Sequence, residues 1–444
     1  MTATTRRGPY RSGIERRRQI VETAWEVFAR RGYGGASLRE IAGVVGVTPA
    51  AINRHFGSKE ELLIAVLERW GADTAALATR VEMGQGLRYF AVLPRLMQYH
   101  VEHPGLIELF LTLCTEATDP THPGRAWVAE RYATIVATGV GHLRAAMDEG
   151  PVRELVAGAA TAEIRTLFAV MDGLELQWTV LPELDLVGLF SAAFADILDR
   201  WGVQRGELLP DAPEPTPVRS APVPPSVPEI EVDGGPPAAQ RGPYRRGAER
   251  RADIITAATR LFAQRGYLCT PLSEIAGAVG VSKAALLRHF GSKDGLLFAI
   301  LDGWDDESAS MRALRAESGL AYFDALIGVM GRHAERPGLV DLLLTLTTEA
   351  SDPAHPARAW VARRYDRITD EAGSALRAAI ATGDLLPMSD ARIDLEARLL
   401  FAVMDGLELQ WIADPELDLG ELFRRYCSAA VSRWRGQRGA TIPR

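Results

Sequence analysis

The chain repeats itself at a protein-sized interval, and that repeat limits its folds more than any other feature. Arg-Gly-Pro-Tyr-Arg at residues 7–11 returns at residues 241–245, an offset of 234. Later landmarks return at an offset of 233: Pro104-Gly-Leu at Pro337, Thr115-Glu-Ala-Thr-Asp-Pro near-identically at Thr348, and Arg125-Ala-Trp-Val at Arg358. The eleven residues Phe168 to Trp178 are identical to Phe401 to Trp411, and Trp201 and Trp434 close the two copies. Periods that stack into solenoids are far shorter, so each copy of about 200 residues has to build a core of its own. Between the copies, Glu207 to Gln240 holds ten of the chain's 26 prolines and little hydrophobic periodicity, the composition of an extended linker. Its 34 residues span roughly 30–35 Å as a coil or about 100 Å as polyproline II, enough for the copies to meet face to face.

One stretch recurs inside each copy. Leu38-Arg-Glu-Ile-Ala-Gly-Val-Val-Gly-Val-Thr-Pro-Ala-Ala-Ile-Asn-Arg-His-Phe-Gly-Ser-Lys59 comes back, with a few changes, at Leu272 to Lys293. Leu38, Ile41, Ala42 and Val45 sit at helical spacing, Gly46 interrupts them, and Thr48 opens a second helical pattern with Ile52 and Phe56 facing inward. The pattern predicts a helix-turn-helix, in which the glycine takes a positive φ, swings the second helix across the first, and lets Val47 pin them together. Thr48 and Ser282 are suited to cap the second helix, whose free amides and positive dipole end favour a phosphate. With Ile52 and Phe56 inward, Pro49, Ala50, Asn53 and Arg54 project outward, where a recognition helix meets base edges. Asn53 suits adenine and Arg54 suits guanine. The matching surface of the second copy is Lys283, Ala284, Leu287 and Arg288, so the two heads are expected to prefer unlike half-sites.

Both stretches resemble the DNA-binding domain of the tetracycline-repressor (TetR) family. Its usual recognition segment runs Gly-Val-Ser, three variable residues, Leu-Tyr, one variable residue, His-Phe. The family's tyrosine is replaced by Asn53 and Leu287. The resemblance implies phosphate contacts from His55, His289, Lys59 and Lys293, and places Arg39 where many relatives carry a base-reading side chain; Ser273 stands there in the second copy. It further implies that the C-terminal part of each copy is a ligand-binding and dimerisation region, in which a pair of helices packs against its counterpart as a four-helix bundle. The run Met171 to Trp178, followed by Pro182-Glu-Leu-Asp-Leu, fits that pair. Leu167, Val170, Met171, Leu174 and Trp178 form one apolar stripe, and Leu184, Leu186, Leu189, Phe190, Phe194 and Ile197 another. A second chain supplies the partner in the usual family member; here the second copy can do so.

Relatives of this kind bind drugs, lipids or pigments and then release DNA. Trp127, Tyr132, Phe168, Met171 and Trp178, with Trp360, Tyr365, Phe401, Met404 and Trp411 in the second copy, are the candidates for lining an apolar effector cavity; the same spacing also suits plain core. His122 and His355, beside prolines in the Asp-Pro loop, are expected to serve helix starts or packing.

Charge is distributed as a DNA reader requires. The net charge is −7, yet residues 1–70 and 241–304 each carry +5, leaving −17 for the remainder. The first helix is expected from about Arg16 to Arg31, with Ile20, Ala24, Val27 and Phe28 buried and Gly32 as its C-cap. Ahead of it, Arg6, Arg7 and Arg11, and in the second copy Arg241, Arg245 and Arg246, make a short basic arm broken by Gly-Pro that can reach phosphates or the minor groove. The three cysteines have no metal-ligand spacing, no long apolar run or signal peptide is evident, and a cytoplasmic setting with no metal and no cofactor is expected. Nor does any arrangement of nucleophile, acid and base or any phosphate-cradling loop point to an enzyme.

The expected architecture is all-α: two tandem units, each with a helix-turn-helix head (1–70 and 241–304) and a helical regulatory and dimerisation body (71–204 and 305–444), joined by a linker at 205–240. The expected function is a bacterial-type, sequence-specific transcriptional regulator, most simply a repressor, whose units pair within one chain on double-stranded operator DNA and respond to a small apolar ligand. A homodimer of chains with four heads on a longer operator, and an interaction module without specific reading, are the alternatives.

Overall fold

A computed structural model describes residues 9–80, 84–155, 158–203, 243–303, 319–333 and 337–436. Among the described residues every regular element is a helix and no strand occurs, as the apolar spacing predicts. The first unit runs α1 (Pro9–Gly35), α2 (Leu38–Val45), α3 (Pro49–Phe56), α4 (Lys59–Arg80), a 3-10 turn (Gly86–Val92), α5 (Leu93–Glu102), α6 (Pro104–Glu116), α7 (Arg125–Asp148), α8 (Ala159–Val180) and α9 (Leu186–Trp201). The second runs α10 (Pro243–Arg265), α11 (Leu272–Ala278), α12 (Lys283–Phe290), α13 (residues 293–303), α14 (Ala321–His333), α15 (Pro337–Glu349), α16 (Arg358–Ala381), α17 (Asp390–Ala413) and α18 (Leu419–Trp434).

The first helix departs from expectation at its start. It begins at Pro9 rather than near Arg16, because proline lacks an N–H that the first turn would leave unpaired anyway and its fixed φ already suits a helix. Arg11 therefore belongs to α1, and Arg245 and Arg246 to α10, rather than to a loose arm. Arg6, Arg7, Arg241 and the linker lie outside the described residues. The far end of α1 kinks at Gly32, where φ is 67° and the helix was expected to stop.

Each head packs its first helix on the body below it, α1 on α6 and α10 on α15, while α4 runs on past residue 70 to join head and body. At the base of the first unit the two apolar stripes are buried as expected, apart from Trp178, which stays half-buried. Each such Leu, Ile or Phe contributes roughly 1.5–3 kcal/mol. The aspartate of the Leu-Asp-Leu junction starts the final helix: Asp185 accepts the Gly188 N–H at 2.9 Å and Asp418 the Glu421 N–H at 2.8 Å.

The two units meet where α8 crosses α17. A Cβ on Gly173 would lie 1.8 Å from the Ala402 carbonyl oxygen, and one on Gly406 would lie 2.0 Å from that of Ala169. Only glycine permits backbones to approach this closely. Beside the crossing, Gln410 donates to the Arg165 carbonyl at 2.9 Å and Gln177 to the Arg398 carbonyl at 3.3 Å. These two bonds are the same contact made in both directions, the signature of a twofold-like pairing. Helices α6 and α15 continue the contact toward the heads, where the Thr118 hydroxyl donates to the Ala263 carbonyl at 3.5 Å.

Candidate nucleic-acid interface

Local chemistry fixes the helix-turn-helix in both heads. Ser37 accepts the Glu40 N–H at 3.1 Å to start α2, which ends at Gly46 with φ 74°. That left-handed turn lets the Val47 N–H reach back to the Ala42 carbonyl at 2.9 Å, and Thr48 then caps α3 by accepting the Ala51 N–H at 3.2 Å. In the second head Ser282 accepts the Ala285 N–H at 3.1 Å. Ile52, Phe56 and Leu286 are buried, and Phe290 packs against the same core. Arg39, Thr48, Pro49, Ala50, Asn53 and Arg54 consequently stand exposed on one head, and Ser282, Lys283, Ala284, Arg288 and His289 on the other. Leu287 and His55 are half-buried.

Each recognition helix is braced from behind by arginines that the local sequence pattern does not reveal. Arg17 donates to the His55 carbonyl at 2.8 Å and lies 4.2 Å over the Phe56 ring, while Arg16 reaches the Val45 carbonyl at 3.4 Å. Arg251 repeats the stacking on Phe290 at 5.0 Å, and Arg250 the bond to the Val279 carbonyl at 3.3 Å. Cations at the C-terminal ends of α2, α3 and their counterparts oppose the helix dipoles and hold carbonyls that have no partner within the helix. These arginines therefore orient the reading surface.

Lys59 and Lys293 sit at the starts of α4 and α13, each ammonium over an aromatic ring, Tyr33 at 4.4 Å and Tyr267 at 4.3 Å. Burial pushes both ammonium groups below the ordinary lysine value, against the opposing pull of Glu116 and Glu349 respectively. Those two glutamates tie each head to its body. Glu116, at the end of α6, accepts the N–H groups of Tyr33 and Gly34 at 2.8 and 3.1 Å. Glu349 does the same for Tyr267 and Leu268 at 2.9 and 3.3 Å. His122 and His355 stand behind them, 3.3 and 3.5 Å from the carboxylates. Each ring nitrogen Nδ1 takes a backbone N–H at the start of the next helix, Gly124 at 3.1 Å and Ala357 at 3.2 Å.

In the bodies, two of the ten aromatic and methionine candidates bond to buried aspartates. Tyr132 donates to Asp172 at 2.9 Å and Tyr365 to Asp405 at 2.8 Å. Next to them His100 meets Glu175, and His333 meets Glu408, both at 2.6 Å. Trp127 packs edge-on against Trp70 at 5.1 Å, and the Arg131 guanidinium lies 3.9 Å over the Trp70 ring. Burial lowers Arg131 to about 10 and raises Asp172 well above the usual carboxylate range. Phe168, Met171, Trp360, Phe401 and Met404 are buried, Trp411 is at 9% exposure, and Trp178 is half-buried. A cavity of about 760 Å³ is lined by Tyr322 of α14 and by Arg363 and Asp366 of α16, among others, and by none of the ten.

Each head thus has the form of a helix-turn-helix, a capped and arginine-braced second helix with an exposed polar face. The model of the bacterial regulatory proteins of the tetR family matches the chain twice, over residues 20–66 and 254–300. It is 32% identical over 120 residues to the HTH-type transcriptional repressor Rv1474c of Mycobacterium tuberculosis, covering 26% of this chain and 59% of that protein. To the HTH-type transcriptional repressor AcnR of Corynebacterium diphtheriae it is 30% identical over 124 residues, covering 28% and 60%. A third relative, the HTH-type transcriptional activator FasR of Mycolicibacterium smegmatis, is 47% identical over 64 residues, 14% of this chain and 29% of the relative. The chain thus spans less than two thirds of the length of these curated relatives. A solved structure of a TetR-family regulator from Rhodococcus sp. aligns at 26% identity with a TM-score of 0.34, covering 42% of this chain and 99% of that one. No described helix is long and apolar enough to cross a membrane.

Proposed function

We propose that the chain is a transcriptional repressor whose two heads read one operator as an intramolecular pseudo-dimer. The observation that carries this reading is the difference between the two recognition surfaces held on one paired body. On the first head Asn53 and Arg54 stand where the second has Leu287 and Arg288, and Arg39 stands where it has Ser273. Asparagine and arginine read adenine and guanine edges bidentately, whereas leucine and serine do not repeat that pattern. The operator then has two unlike half-sites, about 34–36 Å or one turn of B-DNA apart. His55, His289, Lys59 and Lys293 supply phosphate contacts that set register without reading sequence. The names of two relatives as repressors support the sign of regulation. A small apolar effector, held among Trp127, Tyr132, Phe168, Met171 and Trp178 or their counterparts, would act on DNA through the Glu116 and Glu349 contacts that join body to head.

Selection of duplexes from a random pool by the purified full chain tests the reading. Two unlike half-sites about one helical turn apart are expected. A true palindrome would mean that one type of head reads and two chains pair. An unenriched pool with a steep salt dependence would leave only non-specific phosphate binding.

A further inference from the structure

The contact between the units carries a charge arrangement that is not symmetric. Asp196 on α9 is 5% exposed and receives the Arg392 guanidinium from the first turn of α17, with Nε of Arg433 on α18 at 3.6 Å. Arg433 also donates to both oxygens of the buried Glu396 at 2.7 and 2.8 Å, and Arg392 donates to the same carboxylate. This site therefore balances two carboxylates with two guanidiniums. At the offset of 233, the matching site on the other side is made of Ala429, Ala159, Arg200 and Glu163. There Arg200 donates to Glu163 at 2.6 Å, one charge of each sign.

Both sites are neutral only because unlike units are paired. Two copies of the first unit would set Asp196 against Ala159, Arg200 and Glu163 at both sites, leaving one surplus carboxylate at each. Two copies of the second would set Ala429 against Arg392, Arg433 and Glu396, leaving one surplus guanidinium at each. A buried charge without a partner costs far more than the attraction it forgoes, so discrimination comes from what the wrong pairing leaves uncompensated. A further ion pair across the contact, Arg165 with Asp414 at 2.9 Å, has its aspartate 41% exposed and discriminates less.

We propose that the α8–α9 surface of the first unit accepts the α17–α18 surface of the second unit and rejects a copy of itself, with Asp196 and Arg392 as the residues that decide. This rests on the pseudo-dimer reading and adds to it that the pairing is selective rather than only convenient through the linker. Like-with-like assembly of several chains is thereby disfavoured.

The test uses the full chain with a protease site placed in the linker and cut after purification. Isotope-labelled and unlabelled preparations are mixed, unfolded in urea, refolded together and sorted by native mass spectrometry. Unlike pairs with shuffled labels are expected, free of like pairs. The Asp196→Ala/Arg392→Ala double variant, neutral in all three pairings, is expected to give a statistical mixture. Like pairs in statistical proportion from the wild type, or unlike pairs alone from the double variant, would overturn the proposal. If the cut units do not refold, thermal midpoints of the uncut variants decide. The double variant should lose less than the sum of the two single losses, and additive losses would sink the idea. No DNA is present, so a failure here is separate from a failure to select an operator.

Discussion

Asp405 lies on α17 at 3% exposure, and burial pushes its carboxyl up to about 7 from 3.8, opposed by the Arg364 guanidinium and assisted by Glu408. The folded protein thus holds a proton there that the unfolded chain releases near its ordinary value. The contribution of this group to stability is full below pH 3.8, falls as pH rises toward about 7, and is constant above that. Asp405→Asn keeps an acceptor for the Tyr365 hydroxyl and removes the titration. Urea unfolding should show the variant more stable than wild type at pH 8, by at most about 4 kcal/mol, with the advantage shrinking toward pH 5. An advantage independent of pH would mean that Asp405 is ionised throughout. On the DNA side, Arg54→Ala should cost about 1–3 kcal/mol and relax preference at one base pair of one half-site, while Arg288→Ala should do so only in the other. Footprinting on the selected operator reads both effects, and loss spread evenly over the two half-sites would contradict the assignment of heads to half-sites.

At the scale of elements, the helix-turn-helix depends on its caps. Replacing Thr48 or Ser282 by alanine leaves the Ala51 or Ala285 N–H without its side-chain acceptor and should cost about 1 kcal/mol, seen as a lower urea midpoint for that head. These caps were legible in the sequence, as were the turn at Gly46 and the inward Ile52 and Phe56, because each is decided by neighbours within one helical turn. The start of α1 was not, since a Gly-Pro pair punctuates a chain in most settings and Pro9 instead occupies a first turn. Nor was the bracing of α2 and α3 by Arg16 and Arg17, whose acceptors lie 29 and 38 residues further along the chain. Glu116 reaches 83 residues back to the amide of Tyr33, and no periodicity records such a bond. The bodies show the same limit: Tyr132 and Tyr365 read as candidates for an apolar cavity wall, yet packing gives each a buried aspartate that only the folded chain brings within reach.

At the scale of the whole molecule, the α8–α17 crossing and the linker offer two ways of holding the heads together, and they differ in what they allow. The linker alone confines the heads to an effective concentration roughly in the millimolar range without fixing their spacing. On the proposed pseudo-dimer reading, the crossing fixes the spacing. Gly173→Val places side-chain atoms where the Ala402 carbonyl oxygen already lies, and because that atom belongs to backbone the two helices must part. The head cores, built on Ile20, Phe28, Ile41, Ile52 and Phe56, lie in other helices and should keep their fold. The chain would then bind a single half-site as before but gain less from the second. Titration of duplexes carrying one or both half-sites, with wild type and variant, measures that gain directly. A drop of at least about tenfold, or 1.4 kcal/mol, is expected for the two-site duplex, with little change for the one-site duplex. An unchanged gain would mean that the tether and the DNA set the spacing of the heads, and that the glycine crossing only stabilises the body.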